Sequence, residues 1–193
     1  SEWIKTIYAA FPNHVYPSLT NKDIRPVEHK FFQQSVFKEF CKKNIDDHQE
    51  SVKEIENYKI LIVLTHESFY PGKYAYIKKL IGKAKELVCE EDIAIKAHPR
   101  SECSDQIAKD FPDCKHVSKK VGFEMMLPIL NNSCVVIGDV STAVFTTRWL
   151  RPELKVVAIK IDDRKREFIH AELERLYEKI DVPMRLLSDN WLS

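Results

Sequence analysis

From residue 58 onward the chain alternates between two hydrophobic periods. "YKILIVLT" (58–65) is a short β-branched run, apolar at every position, which predicts a strand buried on both faces. "YAYIKKLIGKAKELV" (74–88) places Tyr76, Leu80, Ala84 and Val88 on one face of a helix. A second strand is predicted at "IAIKA" (93–97) and a short helix at "CSDQIAKDF" (103–111). "GFEMMLPILNN" (122–132) reads as a helix broken or bent at Pro128. "CVVIGD" (134–139) predicts the third strand, and "STAVFTTRWL" (141–150) a helix whose first turn opens on Ser-Thr. "KVVAIKI" (155–161) predicts the fourth strand and "RKREFIHAELERLYEKI" (164–180) a long amphipathic helix. Strands alternating with helices at this spacing predict right-handed βαβ units and a parallel sheet. The expected class is α/β, a Rossmann-like sheet of few strands flanked by helices.

The first 57 residues follow no such rhythm. Pro12, Pro17 and Pro26 sit among scattered aromatics and predict an irregular, wrapping segment. Phe32, Val36, Phe37 and Phe40 fall at helical spacing, which predicts a helix over about 28–43. "IDDHQESVKEIENY" is polar and acidic, a linker or an exposed helix, and marks the boundary. The division expected is an N-terminal segment, 1–57, and a Rossmann-like domain, 58–193.

Composition narrows the chemistry. At 193 residues the chain holds one full domain, or one domain with an appendage. A net charge of +1 gives no bulk attraction to nucleic acid, so no nucleic-acid partner is expected. Four glycines leave no room for a glycine-rich phosphate loop, so any phosphate must be held by other means. Five cysteines without a CxxC pair point to a reduced, cytosolic chain with no zinc framework. No apolar run approaches the length of a membrane span and no signal peptide is present, which leaves only peripheral contact with a membrane. Nothing in the sequence specifies an oligomeric state.

In an open parallel sheet, ligands sit beyond the carboxyl ends of the strands. Those ends carry Thr65-His66-Glu67-Ser68, His98-Pro99-Arg100, Gly138-Asp139-Val140-Ser141-Thr142 and Asp162-Asp163-Arg164. Ser141 and Thr142 fall where a strand turns into a helix, and free N–H groups and a helix dipole there would cradle an anion. The structural alternative is a plain N-cap. Pro99 forces extended geometry on His98, holding its imidazole off the strand tip, where it could donate to a phosphate oxygen. The structural alternative is a surface loop histidine. Lys96 and Arg100 flank the pair and could add charge. Glu124, in an otherwise apolar stretch, is placed to accept the hydroxyls of a ribose; the alternative is a carboxylate complementing a helix dipole.

Taken together, "KAHPR", "GFEMM" and "GDVSTAVFTT" resemble the His-Pro, ribose-binding Glu and Ser-Ser/Thr segments of the bacterial sialyltransferases and capsular polysialyltransferases of GT-B architecture, over roughly residues 58–160. The resemblance implies the nucleotide-sugar-binding half of such an enzyme, taking CMP-sialic acid as donor and a glycan as acceptor. It implies that His98 contacts the CMP phosphate and assists its departure, that Ser141 and Thr142 hold that phosphate, and that Glu124 holds the ribose. Lys96, Pro99 and Arg100 belong to the same binding segment. One phosphate needs no metal if an imidazole and a helix N-terminus stabilise its charge, so neither cofactor nor metal is expected. The implied setting is cytoplasmic, at the inner face of a bacterial membrane, in polysaccharide synthesis.

One departure from the family stands out. Its general base lies in an Asp/Glu-Asp/Glu-Gly tripeptide, and this chain has none; "CEEDI" has the acids without the glycine. The base is then Glu67 or Asp139 at the strand tips, or it belongs to an acceptor half that the chain lacks. Among the remaining features, His66 and Glu67 read as a solvated strand end; Tyr70, Tyr74 and Tyr76 could stack on a base, and packing of an amphipathic helix explains at least one of them. Trp149 and Phe145 read as core, and "DDRKREF" as a helix start with a solvated face. Three function classes remain: a sialyl-transferring enzyme, another GT-B transferase of wall or capsule synthesis with a different nucleotide donor, and a nucleotide-binding module without catalysis.

Overall fold

The computed structural model describes residues 3–48, 52–70, 72, 74–161 and 167–191. Its centre is a six-stranded parallel sheet. From the first strand, β3 (Ile60–Val63), the chain moves outward through β4 (Ile93–Lys96) to β5 (Lys115–Val117). It then returns to the other side of β3 and continues through β6 (Val135–Asp139), β7 (Lys155–Ile159) and β8 (Met184–Arg185). The spatial order β5-β4-β3-β6-β7-β8 reverses between β3 and β6. At such a reversal the two flanking connections leave in opposite directions and open a crevice.

Every residue of β3 and β4 is buried, which is why both read as continuous apolar runs. Alternate residues enter opposite layers, as the pleat requires. Leu61, Val63, Ala94, Val136 and Ala158 join one core layer with α1 (Ser35–Asp47), α5 (Phe123–Met126), α6 (Thr142–Leu150) and α7 (Glu167–Lys179). Ile60, Ile62, Ile95, Ile137 and Val157 join the other with α3 (Tyr74–Lys85) and α4 (Ser104–Asp110). Gly138 makes the first layer tight: a Cβ there would lie 2.9 Å from Val144 Cγ2 and 3.2 Å from the Val63 carbonyl oxygen. Only a glycine lets α6 lie this close to the sheet.

The four expected strands are present, and the sheet has two more. β5 and β8 contribute three and two residues, too few to show a period in the sequence. The helix expected over 122–132 is confined to Phe123–Met126, because Pro128 lacks the N–H that would continue it. The helix expected over 28–43 is shifted: a 3₁₀ turn at His29–Gln33 precedes α1, which runs on to Asp47, into the start of the polar stretch expected as linker or exposed helix. A short α2 (Val52–Glu56) follows. Cys41, Ile45 and Ile55 are fully buried in the same layer as the sheet residues.

Before α1, the two strands that precede the central sheet in the chain, β1 (Thr6–Ala9) and β2 (Asp23–Pro26), form a separate parallel pair. Aromatic contacts tie this region to α6. Phe11 meets Phe145 edge-on at 5.1 Å and Phe32 meets Trp149 at 5.4 Å between ring centroids. Trp149 also donates its indole N–H to the Val27 carbonyl at 3.1 Å. Both aromatics of α6, expected as core, are partly buried and packed against it, and they dock the N-terminal segment. The Asp162-Asp163-Arg164 tip lies outside the described residues, as does most of "DDRKREF". Among the described residues, no helix is long and apolar enough to cross a membrane.

Candidate functional site

A cleft of about 430 Å³ opens at the carboxyl ends of β3, β4, β5 and β6, over the reversal in strand order. The β4 tip supplies Lys96, His98 and Pro99. The connection after β5 supplies Lys119 and Lys120, α5 supplies Glu124, and the start of α6 supplies Ser141 and Thr142.

Ser141 is the most informative of these. It stands at the N-cap position of α6 in extended conformation, yet its side chain makes no capping hydrogen bond. It is 9% exposed, and its hydroxyl is buried without a hydrogen-bond partner. The plain N-cap reading therefore fails, since a capping hydroxyl would accept from the next turn. A buried hydroxyl without a partner is costly. At the first turn of a nine-residue helix it lies beside free N–H groups and the positive dipole end, an arrangement chemically able to hold an anion. The residue itself is held firmly: its carbonyl accepts the buried hydroxyl of Tyr177 from α7 and the Phe145 N–H at 3.3 Å.

His98 is half-buried, and its Nδ1 accepts the backbone N–H of Arg100 at 3.1 Å. The neutral ring therefore carries its proton on Nε2, leaving that nitrogen as a donor. Burial pushes the imidazole below its ordinary range, and the positive charge of Arg100 and the neighbouring His66 push the same way. The two imidazole rings meet edge to face at 5.7 Å.

Lys96 is 3% exposed, and its ammonium reaches the Ala97 carbonyl at 3.2 Å on the cleft floor. Glu124 is exposed on the first turn of α5. Arg100 is exposed and does not line the cleft; its part is the backbone N–H given to His98. Six of the residues expected at the site thus share one cleft: Lys96, His98, Pro99, Glu124, Ser141 and Thr142.

Neither Glu67 nor Asp139 lines it. Glu67 is buried and accepts the Glu102 N–H at 2.7 Å, pinning the loop that follows His98. Burial raises its proton affinity, but the Glu102 N–H and the Ser101 hydroxyl more than offset this and hold it below the usual carboxylate range. Asp139 is buried and accepts the Thr65 hydroxyl at 2.7 Å, bridging the tips of β3 and β6. The expectation of a solvated end after β3 is corrected for Glu67, which faces inward because the β4–α4 loop needs its carboxylate. Tyr70 and Tyr76 stack on each other at 5.1 Å, and Tyr74 donates to Asp110 of α4 at 2.8 Å, so all three serve packing.

Lys119 and Lys120 were not among the expected site residues. Lys119 donates to the Ser101 carbonyl at 3.2 Å, which ties the β5 connection to the His98 loop. The signal was available in "KHVSKK": once β5 is recognised, the rule that ligands meet strand tips points directly at these lysines. Among the described residues, no group of three His, Cys, Asp or Glu side chains could hold a metal ion.

No protein-family model matches the chain, and no curated protein matches it in sequence. Among solved structures, it is similar to an α/β-galactoside α-2,3-sialyltransferase from the luminous marine bacterium Photobacterium phosphoreum. The TM-score is 0.55 and the identity 17%, over 89% of this chain and 48% of that one. The fold is sialyltransferase-like. The chain spans about half the length of that enzyme. In this sialyltransferase-like fold the described sheet, with helices on both faces, corresponds to a GT-B-type α/β unit.

Proposed function

We propose that the cleft binds the nucleotide of a CMP-sialic acid donor and that the chain serves transfer of sialic acid to a glycan acceptor, in polysaccharide synthesis on the cytoplasmic side of a bacterial membrane. The observation that carries this reading is the buried, unpartnered Ser141 hydroxyl in the same cleft as His98. Ser141, Thr142 and the first N–H groups of α6 hold the single phosphate. His98 donates from Nε2 to the oxygen that leaves with the bond electrons when the anomeric C–O bond breaks, and the phosphate charge favours its protonated form. Glu124 accepts ribose hydroxyls, while Lys96 adds positive charge from the floor. No metal is required, because helix dipole, hydroxyls and imidazole already oppose the developing charge. The base that activates the acceptor lies outside this set.

Calorimetry with CMP, with and without magnesium, tests the reading. We expect binding that is indifferent to magnesium and weakened by His98→Ala; failure of the wild-type chain to bind CMP would overturn it. A second reading has one observation in its favour. Lys119 and Lys120 bring more positive charge to the cleft than a monophosphate needs, which suits a nucleoside-diphosphate donor. Tighter binding of UDP than of CMP would decide for that alternative.

A further inference from the structure

A second groove, of about 580 Å³, opens on the other side of the α6 N-terminus. It shares Thr142 with the first cleft and runs between the turn at His14–Pro17 and the face of α7 bearing Leu173, Arg175 and Lys179. The floor is apolar: Leu173 and Leu176 pack against the core and show their outer edges to the groove. The N-terminal wall is built from tight turns. Two 3₁₀ turns, each opened by a proline, bracket Tyr16, and the Leu19 N–H closes back on the Tyr16 carbonyl at 2.9 Å. The same wall is anchored to α6 through Phe11 and Phe145.

The ring of Tyr16 is 63% exposed although it lines a concavity. A large aromatic held in this way offers a flat apolar face to something that is not part of the chain. The opposite rim carries Arg175 and Lys179, four residues apart on one helix face, together with the single carboxylate of Glu172, so that cations outnumber acids there. Arg175 pairs with Glu172 at 2.7 Å, with its side chain 69% exposed, so the pair is weak and the guanidinium keeps other donors. An apolar aromatic wall facing paired cations suits a ring with one C–H face and one carboxylate, the chemistry of an acidic sugar.

We propose that this groove receives the acceptor, a glycan end bearing a carboxylate, and that the first residues of this chain thereby supply an acceptor-side wall. The inference rests on the donor reading of the neighbouring cleft. Two clefts that meet at Thr142 bring the reacting ends of two separate ligands together.

Saturation-transfer NMR on the intact chain, with α-2,3-sialyllactose and lactose as probes and CMP titrated separately, tests it. The sialylated sugar should bind about tenfold more tightly than lactose, as a charge-assisted contact to carboxylate demands. Arg175→Ala and Tyr16→Ala should each weaken sialyllactose about tenfold and leave CMP affinity unchanged, with Arg175→Lys recovering part of the loss. Equal binding of the two sugars, or sialyllactose binding indifferent to both substitutions, overturns the proposal. Loss of CMP affinity in the same variants also overturns it, since the groove would then belong to the donor site. A chain that binds CMP but not sialyllactose sinks this inference alone; one that binds neither sinks the donor reading as well.

Discussion

The tips of β3 and β6 lie side by side, and the two use their polar side chains in opposite ways. After β3, Thr65 bonds to Asp139, His66 accepts the Ser68 N–H at 3.2 Å, and Glu67 accepts the Glu102 N–H. These groups act on the chain itself: they set the loops. After β6, the buried Ser141 hydroxyl makes no hydrogen bond at all, whereas Glu67, although its Oε2 is likewise without a partner, has its Oε1 in use. Hydroxyls, imidazoles and carboxylates cluster at both tips, so residue type does not separate structure from function here. Whether the partners are internal does, because a buried polar group with no internal partner costs stability that a bound ligand or an ordered water restores.

The strongest test of this contrast removes the anion cradle. Replacing Ser141 and Thr142 by Ala together should cost CMP binding about 1.5–3 kcal/mol for each lost contact to a charged phosphate, read by calorimetry. The same double variant should unfold in urea with stability unchanged or raised, because no bond of the free chain is lost at Ser141. Glu67→Ala should behave in the reverse sense. It leaves the Glu102 N–H without its acceptor and should lower unfolding stability by about 1–3 kcal/mol, while CMP affinity falls only through a looser His98 loop. If Ser141→Ala destabilised the free protein as much as Glu67→Ala, the distinction between the two tips would be lost.

Thr65→Val, which removes the bridge between the tips, should cost about 0.5–1.5 kcal/mol of stability, measured by the same denaturation. The smallest effect concerns pH. The folded chain holds His98 below its ordinary range, so the unfolded chain binds the proton more readily, and stability rises with pH through the window just below the free imidazole range. Acidification through that window should therefore lose stability, and His98→Asn should flatten the loss. A phosphate beside the ring works in the opposite direction. CMP binding should take up a fraction of a proton near pH 6.5, which calorimetry in buffers of different ionisation enthalpy would register.

Much of the sheet was legible because its buried strands are written as unbroken apolar runs. "ILIV", "IAIK", "VVIGD" and "KVVAI" admit few other readings in a chain whose helices show a clear period. β5 and β8 were not legible, since three and two residues carry no period, and Lys119 and Lys120 were lost with β5. At the site, the tip rule gave His98, Ser141 and Thr142, the carboxylate in an apolar helix start gave Glu124, and all four share the cleft. Glu67 was misread as solvated because the group it serves, the Glu102 N–H, lies 35 positions away.

The amino-acid pattern alone determined the class of fold and which strand tips carry chemistry, because both follow from local periodicity and from residues adjacent in the chain. Only the tertiary structure decided which polar groups are used up. Ser141 was an ordinary helix cap by its position, and Glu67 an ordinary loop acid by its own. Hydrogen-bond satisfaction depends on atoms brought from distant segments, and the packing that buries the Ser141 hydroxyl without a partner gives one oxygen of Glu67 the Glu102 N–H.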